Sequence, residues 1–267
     1  MGIFNKGKNV LVLGGGGARG LSNLGVLKGF ERYFKFEEFP FDMIIGTSIG
    51  SLIGAAYGLG FSLAEIEKEA LTFTWQGIVD IGFHAAGLVK GDRFEKFIDG
   101  MIGDKGFKDM KIPFGLTTTD LNTGEDYLHT SGNLIKLIRA SCSWPGIFSA
   151  VEINDKRLVD GGVRNSIPVK FAKKEGAGFI VAVNPGFSIS GQKINNVFKA
   201  LIQSVQIMGE ELNDYQSRLA DIVIKPDLGN TDQFDFAKAE FLIRQGEIAV
   251  EENIRSIKRE LWLKKLF

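Results

Sequence analysis

A pentapeptide early in the chain has the residue types of a nucleophile-bearing turn. Gly46-Thr47-Ser48-Ile49-Gly50 fits the pattern G-x-S-x-G, between an apolar run that predicts a strand and one that predicts a helix. Such a turn exposes a serine hydroxyl at the end of a sheet, and the glycines two positions away on each side relieve crowding. A glycine-rich turn that contains serine by chance is the alternative. Because both flanks have the expected character, we favour Ser48 as a nucleophile.

A run of glycines nearer the amino terminus has the residue types of an anion-binding loop. Gly14-Gly15-Gly16-Gly17-Ala18-Arg19-Gly20 joins a predicted strand to a predicted helix. Glycine lets the backbone approach a ligand closely, and the unpaired N–H groups at a helix start attract negative charge. The loop also fits the dinucleotide pattern G-x-G-x-x-G, so a nucleotide-binding oxidoreductase is an alternative. That pattern requires an acidic residue at the end of the next strand, where this chain has Gly46.

A serine nucleophile needs a base, and the positions of the histidines argue against an ordinary Ser-His-Asp triad. The α/β-hydrolase order places the histidine after the serine and the acid, whereas this chain has only His84 and His129. Leu158-Val159-Asp160-Gly161-Gly162 instead predicts a carboxylate at the end of an apolar strand, with two glycines that let other backbone come close. Considered alone, a simple Asp-Gly turn explains this pattern equally well.

The three motifs, in this order, resemble those of the patatin-like phospholipase family. The resemblance implies that Ser48 is the nucleophile and Asp160 its base, in a Ser-Asp dyad without histidine. The implied activity is cleavage of carboxylic ester bonds in a phospholipid, a lysophospholipid or an acylglycerol through an acyl-enzyme on Ser48. Segments 120–125, 139–148 and 165–169 also look familial, so the similarity runs from about residue 10 to residue 169. The implied oxyanion hole lies in the glycine loop and comprises Gly15, Gly16, Gly17, Arg19 and Gly20.

Within this resemblance we expect a division of roles. The amides of Gly16 and Gly17 would face the oxyanion, and Arg19 would brace the loop. Partial desolvation would make Asp160 a stronger base than an ordinary aspartate. Two alternatives stay open: an acyltransferase, in which another alcohol replaces water, and a non-catalytic lipid-binding or interaction protein of the same fold.

The elements that must position these motifs predict one α/β domain over residues 1–267. Strands over 10–13 and 41–45 alternate with helices over 18–34 and 51–57, which is typical of a parallel sheet covered on both faces. We therefore expect a three-layer α/β/α fold with a mostly parallel central sheet, patatin-like. We expect the core motifs to lie within 10–184 and a C-terminal strand and helices to follow over 193–267. Further helices are predicted within 64–104, at 134–141 and at 169–174. A strand pair is predicted over 112–121 and 124–130, and a hairpin over 151–160.

Composition and terminal patterns exclude several classes of protein. The 267 residues are 44% hydrophobic and 24% charged, which is ordinary for a globular chain. The 32 basic and 32 acidic residues balance, so no net charge favours nucleic acid as a partner. The single cysteine, Cys142, excludes a disulfide framework, and no ligand cluster predicts a metal or a cofactor. Because neither a signal peptide nor a membrane span is recognisable, we expect a cytoplasmic protein.

Two segments suggest contact with lipid, the expected partner being a lipid ester substrate. The segment 71–88 is rich in large apolar residues and interrupted by glycines, as expected of a mobile cap over an acyl pocket; a core helix pair is the alternative. The C-terminal helix is basic and amphipathic, so it could lie peripherally on a membrane surface, although we favour docking against the core. The sequence sets no expectation for the oligomeric state.

Overall fold

The computed structural model describes residues 7–78, 81–84, 87–189 and 194–266. The strands are β1 (Lys8–Leu13), β2 (Met43–Thr47), β3 (Ile81–His84), β4 (Gly87–Val89), β5 (Phe114–Asp120), β6 (Asp126–His129), β7 (Gly146–Phe148), β8 (Val151–Ile153), β9 (Lys156–Asp160), β10 (Ala177–Val183) and β11 (Ile222–Ile224). The helices are α1 (Ser22–Glu31), α2 (Ile49–Gly58), α3 (Leu63–Thr72), α4 (Trp75–Ile78), α5 (Asp92–Ile102), α6 (Leu134–Ser141), α7 (Gly162–Asn165), α8 (Val169–Lys174), α9 (Val197–Ser217) and α10 (Ala239–Leu266).

A mixed central sheet organises the chain, with strands in the order β11-β10-β1-β2-β5-β9-β8 and β6 paired to β5 outside this path. The neighbours from β11 to β5 are parallel, whereas β6, β8 and β9 join antiparallel. Alternate residues of β1 face opposite sides: Leu11 and Leu13 contact the core of α1, α2 and α10, while Val10 and Val12 face α8. Helices thus cover both faces, which confirms the expected α/β/α architecture and explains the uninterrupted apolar strands.

One edge of β5 is shared by two strands that approach each other end to end. β2 runs parallel to β5 along its first half and ends with Thr47 opposite Thr117. β9 runs antiparallel along the second half and ends with Asp160 opposite Thr118. β6 takes the other edge. Ser48, which follows Thr47, therefore lies near Asp160, the last residue of β9, beside Thr117 and Thr118 of β5. More than a hundred residues separate Ser48 and Asp160 in the sequence.

The C-terminal helix α10 docks on the core, as we favoured from the sequence. Its residues Ile254, Ile257 and Leu261 are buried with α1, and the buried carboxylate of Glu247 pairs with Lys28. The terminal Phe267 lies outside the described residues. Within the described ranges, no helix combines the length and the apolar character needed to traverse a bilayer.

The helical prediction over 64–104 is wrong at residues 81–84 and 87–89. These residues form β3 and β4, which pair antiparallel, and β4 also pairs in parallel with β7. The strand β7 was not predicted. Glycine at positions 82 and 87 weakens a helix. The strand β4 is held in part by β7, which lies about 60 residues further along the chain. Local sequence carries no information about such a distant partner.

Candidate active site

Ser48 occupies the sharp turn between β2 and α2. Its backbone has φ 54° and ψ −128°, a strained conformation that residues with a side chain rarely adopt. The turn requires glycine at its flanks because the backbone folds back on itself: a Cβ on Gly46 would lie 2.5 Å from the carbonyl oxygen of Gly50. A Cβ on Gly50 would in turn collide with the Leu13 carbonyl oxygen at the end of β1.

Four hydroxyl groups hold this turn. The Ser141 Oγ accepts the N–H of Ser48 at 2.9 Å, and the Ser51 hydroxyl donates to the Ser48 carbonyl at 2.6 Å. The buried Thr47 hydroxyl lies 2.7 Å from that of Thr117 on β5. The strained conformation of Ser48 is thereby fixed by α2, α6 and the sheet together, while its own side chain lines a cavity with Ile49.

Asp160 ends β9 and is 6% exposed. Its carboxylate accepts the N–H of Gly162 at 2.7 Å and interacts with the Ser48 hydroxyl. Burial raises the pKa of Asp160 to about 6, against the opposing effects of Ser48 and the Gly162 N–H. Gly161 allows this approach because a Cβ there would meet the Thr117 carbonyl oxygen at 2.7 Å. The structure thus brings Ser48 and Asp160 together as a hydroxyl beside a desolvated carboxylate.

The end of helix α6 holds both residues in place, a function that sequence reasoning missed. Besides the bond from Ser48 to Ser141, the Ser143 carbonyl accepts the N–H of Asp160 at 3.0 Å. The Ser143 hydroxyl donates to the Arg139 carbonyl at 2.7 Å, and the buried Arg139 guanidinium donates back to the Ser143 Oγ. The segment 139–148 had looked familial in the sequence, and its alternating small hydroxyl residues were the available signal.

The glycine loop after β1 lies beside Ser48, since β1 and β2 are neighbours with Leu13 opposite Gly46. The N–H of Gly15 donates to the Ser166 carbonyl at 3.0 Å, so this amide is not available to a ligand. Among the described residues no partner accepts the N–H groups of Gly16 and Gly17, and both residues line the cavity. Gly17 has φ 56° and packs on the Gln233 carbonyl, which leaves no room for a side chain.

Arg19 braces the loop and is almost fully buried. Its guanidinium donates to four backbone carbonyls, those of Pro185, Gly186, Gly229 and Thr231, at 2.9–3.1 Å. Gly20 packs against Ile49, where a Cβ would collide with the isoleucine side chain. Neither residue lines the cavity, so both shape the loop instead of facing a ligand.

Ser48, Asp160 and the glycine loop share the wall of a cavity of about 640 Å³. Aromatic and aliphatic side chains form most of the rest of that wall, which suits a long apolar group. Part of the segment 71–88 contributes Phe73, Trp75 and Ile78. Val79 and the side chains of Ile81, Phe83 and Leu88 lie outside the described residues. Other wall residues are Phe94, Trp144, Phe148, Val163, Phe187, Leu201, Ile202, Val205, Met208, Leu212, Phe234 and Phe236.

Comparison with known proteins decides the family. A model of the patatin-like phospholipase family matches residues 11–173. The chain belongs to this family. Membership of this family argues against the dinucleotide-binding alternative for the loop 14–20.

Relatives of this patatin-like chain include fungal proteins named lysophospholipase NTE1. The protein of Yarrowia lipolytica is 35% identical and that of Scheffersomyces stipitis 34% identical, each over 66% of this chain and 12% of the relative. That of Meyerozyma guilliermondii is 27% identical over 93% of this chain and 19% of the relative. The patatin-like chain thus spans less than a fifth of these relatives. VipD from Legionella pneumophila has the same fold, with a TM-score of 0.63, 12% identity, and coverage of 94% of this chain and 67% of VipD.

Burial shifts the pKa values of two other potentially reactive side chains of the patatin-like chain, His129 and Cys142. His129 lies 2.7 Å from the Thr118 hydroxyl, and burial lowers its pKa to about 4, so its ring is neutral. Burial and the neighbouring Asp160 raise the pKa of the Cys142 thiol, which keeps it protonated. The side chain of His84 lies outside the described residues. In the described part of the chain, no group of three or more histidine, cysteine or acidic side chains is arranged to hold a metal ion.

The raised pKa of Asp160 makes a testable prediction about stability. The carboxyl titrates near 4 in the unfolded chain and near 6 in the fold, so its stabilising effect is complete at low pH and is lost as pH rises through 6. Asp160→Asn does not titrate. Its free energy of unfolding relative to wild type should therefore rise by about 2 kcal/mol between about pH 4.5 and about pH 7.5.

Urea denaturation at the two pH values measures this difference. Asp155→Asn, in the exposed turn between β8 and β9, is the matched control and should show no comparable pH-dependent gain. A gain for Asp160→Asn that is the same at both pH values would contradict the burial of an ionisable carboxylate.

Proposed function

We propose that this chain is a serine acyl hydrolase that cleaves carboxylic ester bonds of lipids. The observation that carries the proposal is the Ser48 hydroxyl beside the buried Asp160 carboxylate on the wall of an apolar cavity. The names of the relatives, lysophospholipase, support a lipid ester with one acyl chain as the substrate class. A phospholipid or an acylglycerol offers the same bond.

The first half of the reaction transfers the acyl group to the protein. The Asp160 carboxylate accepts the Ser48 proton as Oγ bonds to the ester carbonyl carbon. With a pKa of about 6, Asp160 is mostly ionised near pH 7 and holds a proton more strongly than an ordinary aspartate. The carbonyl oxygen becomes an oxyanion, and the unpaired N–H groups of Gly16 and Gly17 are the donors that would stabilise it. Collapse breaks the bond to the alcohol, which leaves with the proton from Asp160.

The second half returns the protein to its starting state. Asp160 takes a proton from water, the resulting hydroxide attacks the acyl carbon, and the same N–H groups hold the second oxyanion. Collapse releases the fatty acid, and Ser48 regains its proton from Asp160. Replacement of water by another alcohol at this step would give acyl transfer by the same residues.

A physical argument favours catalysis over a purely lipid-binding role. Burial destabilises an ionised carboxylate, and it raises the pKa of Asp160, against which no cation of the described residues acts. The positive φ of Ser48 adds backbone strain at the same point. A protein that only bound lipid would be more stable without either feature, whereas a nucleophile and its base require both.

Replacement of Ser48 tests the proposal directly. Ser48→Ala should lose esterase turnover by at least about a thousandfold and should not react with a fluorophosphonate probe, because the attacking oxygen is gone. Mass spectrometry of the probe adduct and a lysophospholipid hydrolysis assay measure the two effects. Ser166→Ala removes another hydroxyl from the same cavity wall and is the matched control, which should still react. Turnover that persists in Ser48→Ala would reject the proposed nucleophile.

The glycine loop generates a second prediction. Gly17→Ala should lower kcat by about a hundredfold or more, because a side chain at φ 56° and against the Gln233 carbonyl displaces the donors of the oxyanion. Gly176→Ala is the matched control, since Gly176 also has positive φ (80°) but has open space around it. Steady-state kinetics on a short soluble ester separates the two. Equal kcat values for the two variants would argue against an oxyanion hole in this loop.

A further inference from the structure

Exposed large apolar side chains concentrate on one helix and the residues around it. Among the described residues fifteen such side chains are exposed, and nine of them lie between residues 189 and 219. A concentration of exposed apolar side chains on a folded protein often marks a surface that binds a partner or a ligand. Four of the nine form a stripe at helical spacing along α9, which we call the α9 stripe: Val197, Leu201, Val205 and Met208, with exposures of 77%, 61%, 43% and 64%.

The polarity of α9 is inverted relative to an ordinary surface helix. A surface helix normally turns its apolar side chains inward and its polar ones to water. In α9 the inward side chains are polar: Gln203, Gln206, Asn213, Gln216 and Ser217 are each at most 7% exposed. The α9 stripe on the opposite side faces outward. Burial against the described residues therefore does not account for the four side chains of the α9 stripe.

Hydrogen bonds from the polar side fix this orientation of the helix. Gln216 accepts the N–H of Ile167 at 3.1 Å and donates to the Arg164 carbonyl at 2.7 Å. Glu210 accepts the N–H of Phe187 at 2.7 Å. Gln203 donates to the Ile189 carbonyl at 2.7 Å. A rotation of α9 that buried the stripe would break these bonds, so the outward direction of the stripe is built into the fold.

The α9 stripe is continuous with the proposed acyl site. Leu201, Val205 and Met208 are exposed and also belong to the cavity wall that contains Ser48 and Asp160. From residue 194 to residue 209 the only charged side chain is Lys199, and there is no acidic one to repel phosphate headgroups. The geometry points to docking of the α9 stripe on a lipid surface, which places the mouth of the cavity against the source of its substrate.

A lipid surface fits this position better than a second copy of the chain. A protein seated on Leu201, Val205 and Met208 would cover the cavity where substrate must enter. A lipid surface supplies that substrate, and amphipathic helices bind such surfaces through an apolar face of this kind. The benefit of docking, delivery of substrate to the cavity, rests on the proposed lipid ester function. The exposure of the α9 stripe does not depend on Ser48.

Vesicle binding tests the docking surface without hydrolysis of the vesicles. All variants carry Ser48→Ala, and cosedimentation with phosphatidylcholine vesicles, with and without phosphatidylglycerol, gives the partition coefficient. Val197→Asp should weaken partition at least about tenfold, equivalent to about 1.4 kcal/mol. Val197 does not line the cavity, and an acid at the first position of a helix suits its dipole, so folding is preserved. Leu121→Asp, at an exposed apolar residue in the turn after β5, is the matched control and should bind normally.

A gain-of-binding variant makes the test independent of any loss of structure. Val197→Trp should partition more strongly, and its fluorescence should shift to shorter wavelength with vesicles, since tryptophan favours the membrane interface. Three outcomes would overturn the proposal: no vesicle binding by the parent protein, equal binding by Val197→Asp and Leu121→Asp, or a dimer that Val197→Asp converts to monomer. The last would assign the α9 stripe to a second copy.

Active protein separates this inference from the proposed function. With Ser48 present, Val197→Asp should hydrolyse a soluble short-chain ester at the wild-type rate and lose activity on vesicle phospholipid. If no ester is hydrolysed but vesicle binding still depends on Val197, docking is supported and the enzymatic proposal fails. If ester hydrolysis depends on Ser48 but vesicle binding does not depend on Val197, the docking inference alone fails.

Discussion

The candidate site depends on two strands that end head to head along one edge of β5. Thr47 at the end of β2 lies opposite Thr117, and Asp160 at the end of β9 lies opposite the next residue, Thr118. Because β-strand pairing fixes neighbours to within a few ångströms, this register alone brings the Ser48 turn to the Asp160 carboxylate. A shift of one residue in either pairing would turn the side chains to the other face of the sheet and separate the two groups.

The residues around Ser48 and Asp160 exclude water from the Asp160 carboxylate, which makes the pair more reactive. The Asp160 carboxylate is buried, and the effects on its pKa apart from burial come from one hydroxyl and one N–H. The same loss of hydration that destabilises the ion makes it a better proton acceptor for Ser48. Helix α6 and the residues just after it contribute rigidity, since Ser141 holds the backbone of Ser48 and Ser143 holds that of Asp160. The strained backbone of Ser48 and the buried carboxylate of Asp160 both lower the stability of the fold at the proposed site of catalysis.

Much of this arrangement was predictable because it arises from local signals. Apolar runs bounded by glycine gave β1 and β2, and the turn residues Asn154 and Asp155 gave the β8–β9 hairpin. The association of residues 48 and 160 followed from motif order and family resemblance, not from periodicity. Two features escaped prediction because they depend on distant partners: the strand β4, which pairs with β7, and the outward-facing apolar stripe of α9. Sequence showed a long helix but not which of its faces the fold would cover.

The pH dependence of Ser48 reactivity tests the central claim most directly. The second-order rate of fluorophosphonate labelling should rise with an apparent pKa of about 6 in the wild-type chain, following ionisation of Asp160. Asp160→Asn should abolish this rise and slow labelling by at least about a hundredfold, whereas His129→Gln should leave both the rate and the profile unchanged. Labelling of Asp160→Asn at the wild-type rate, or a profile that changes only in His129→Gln, would contradict the assignment of Asp160 as the base.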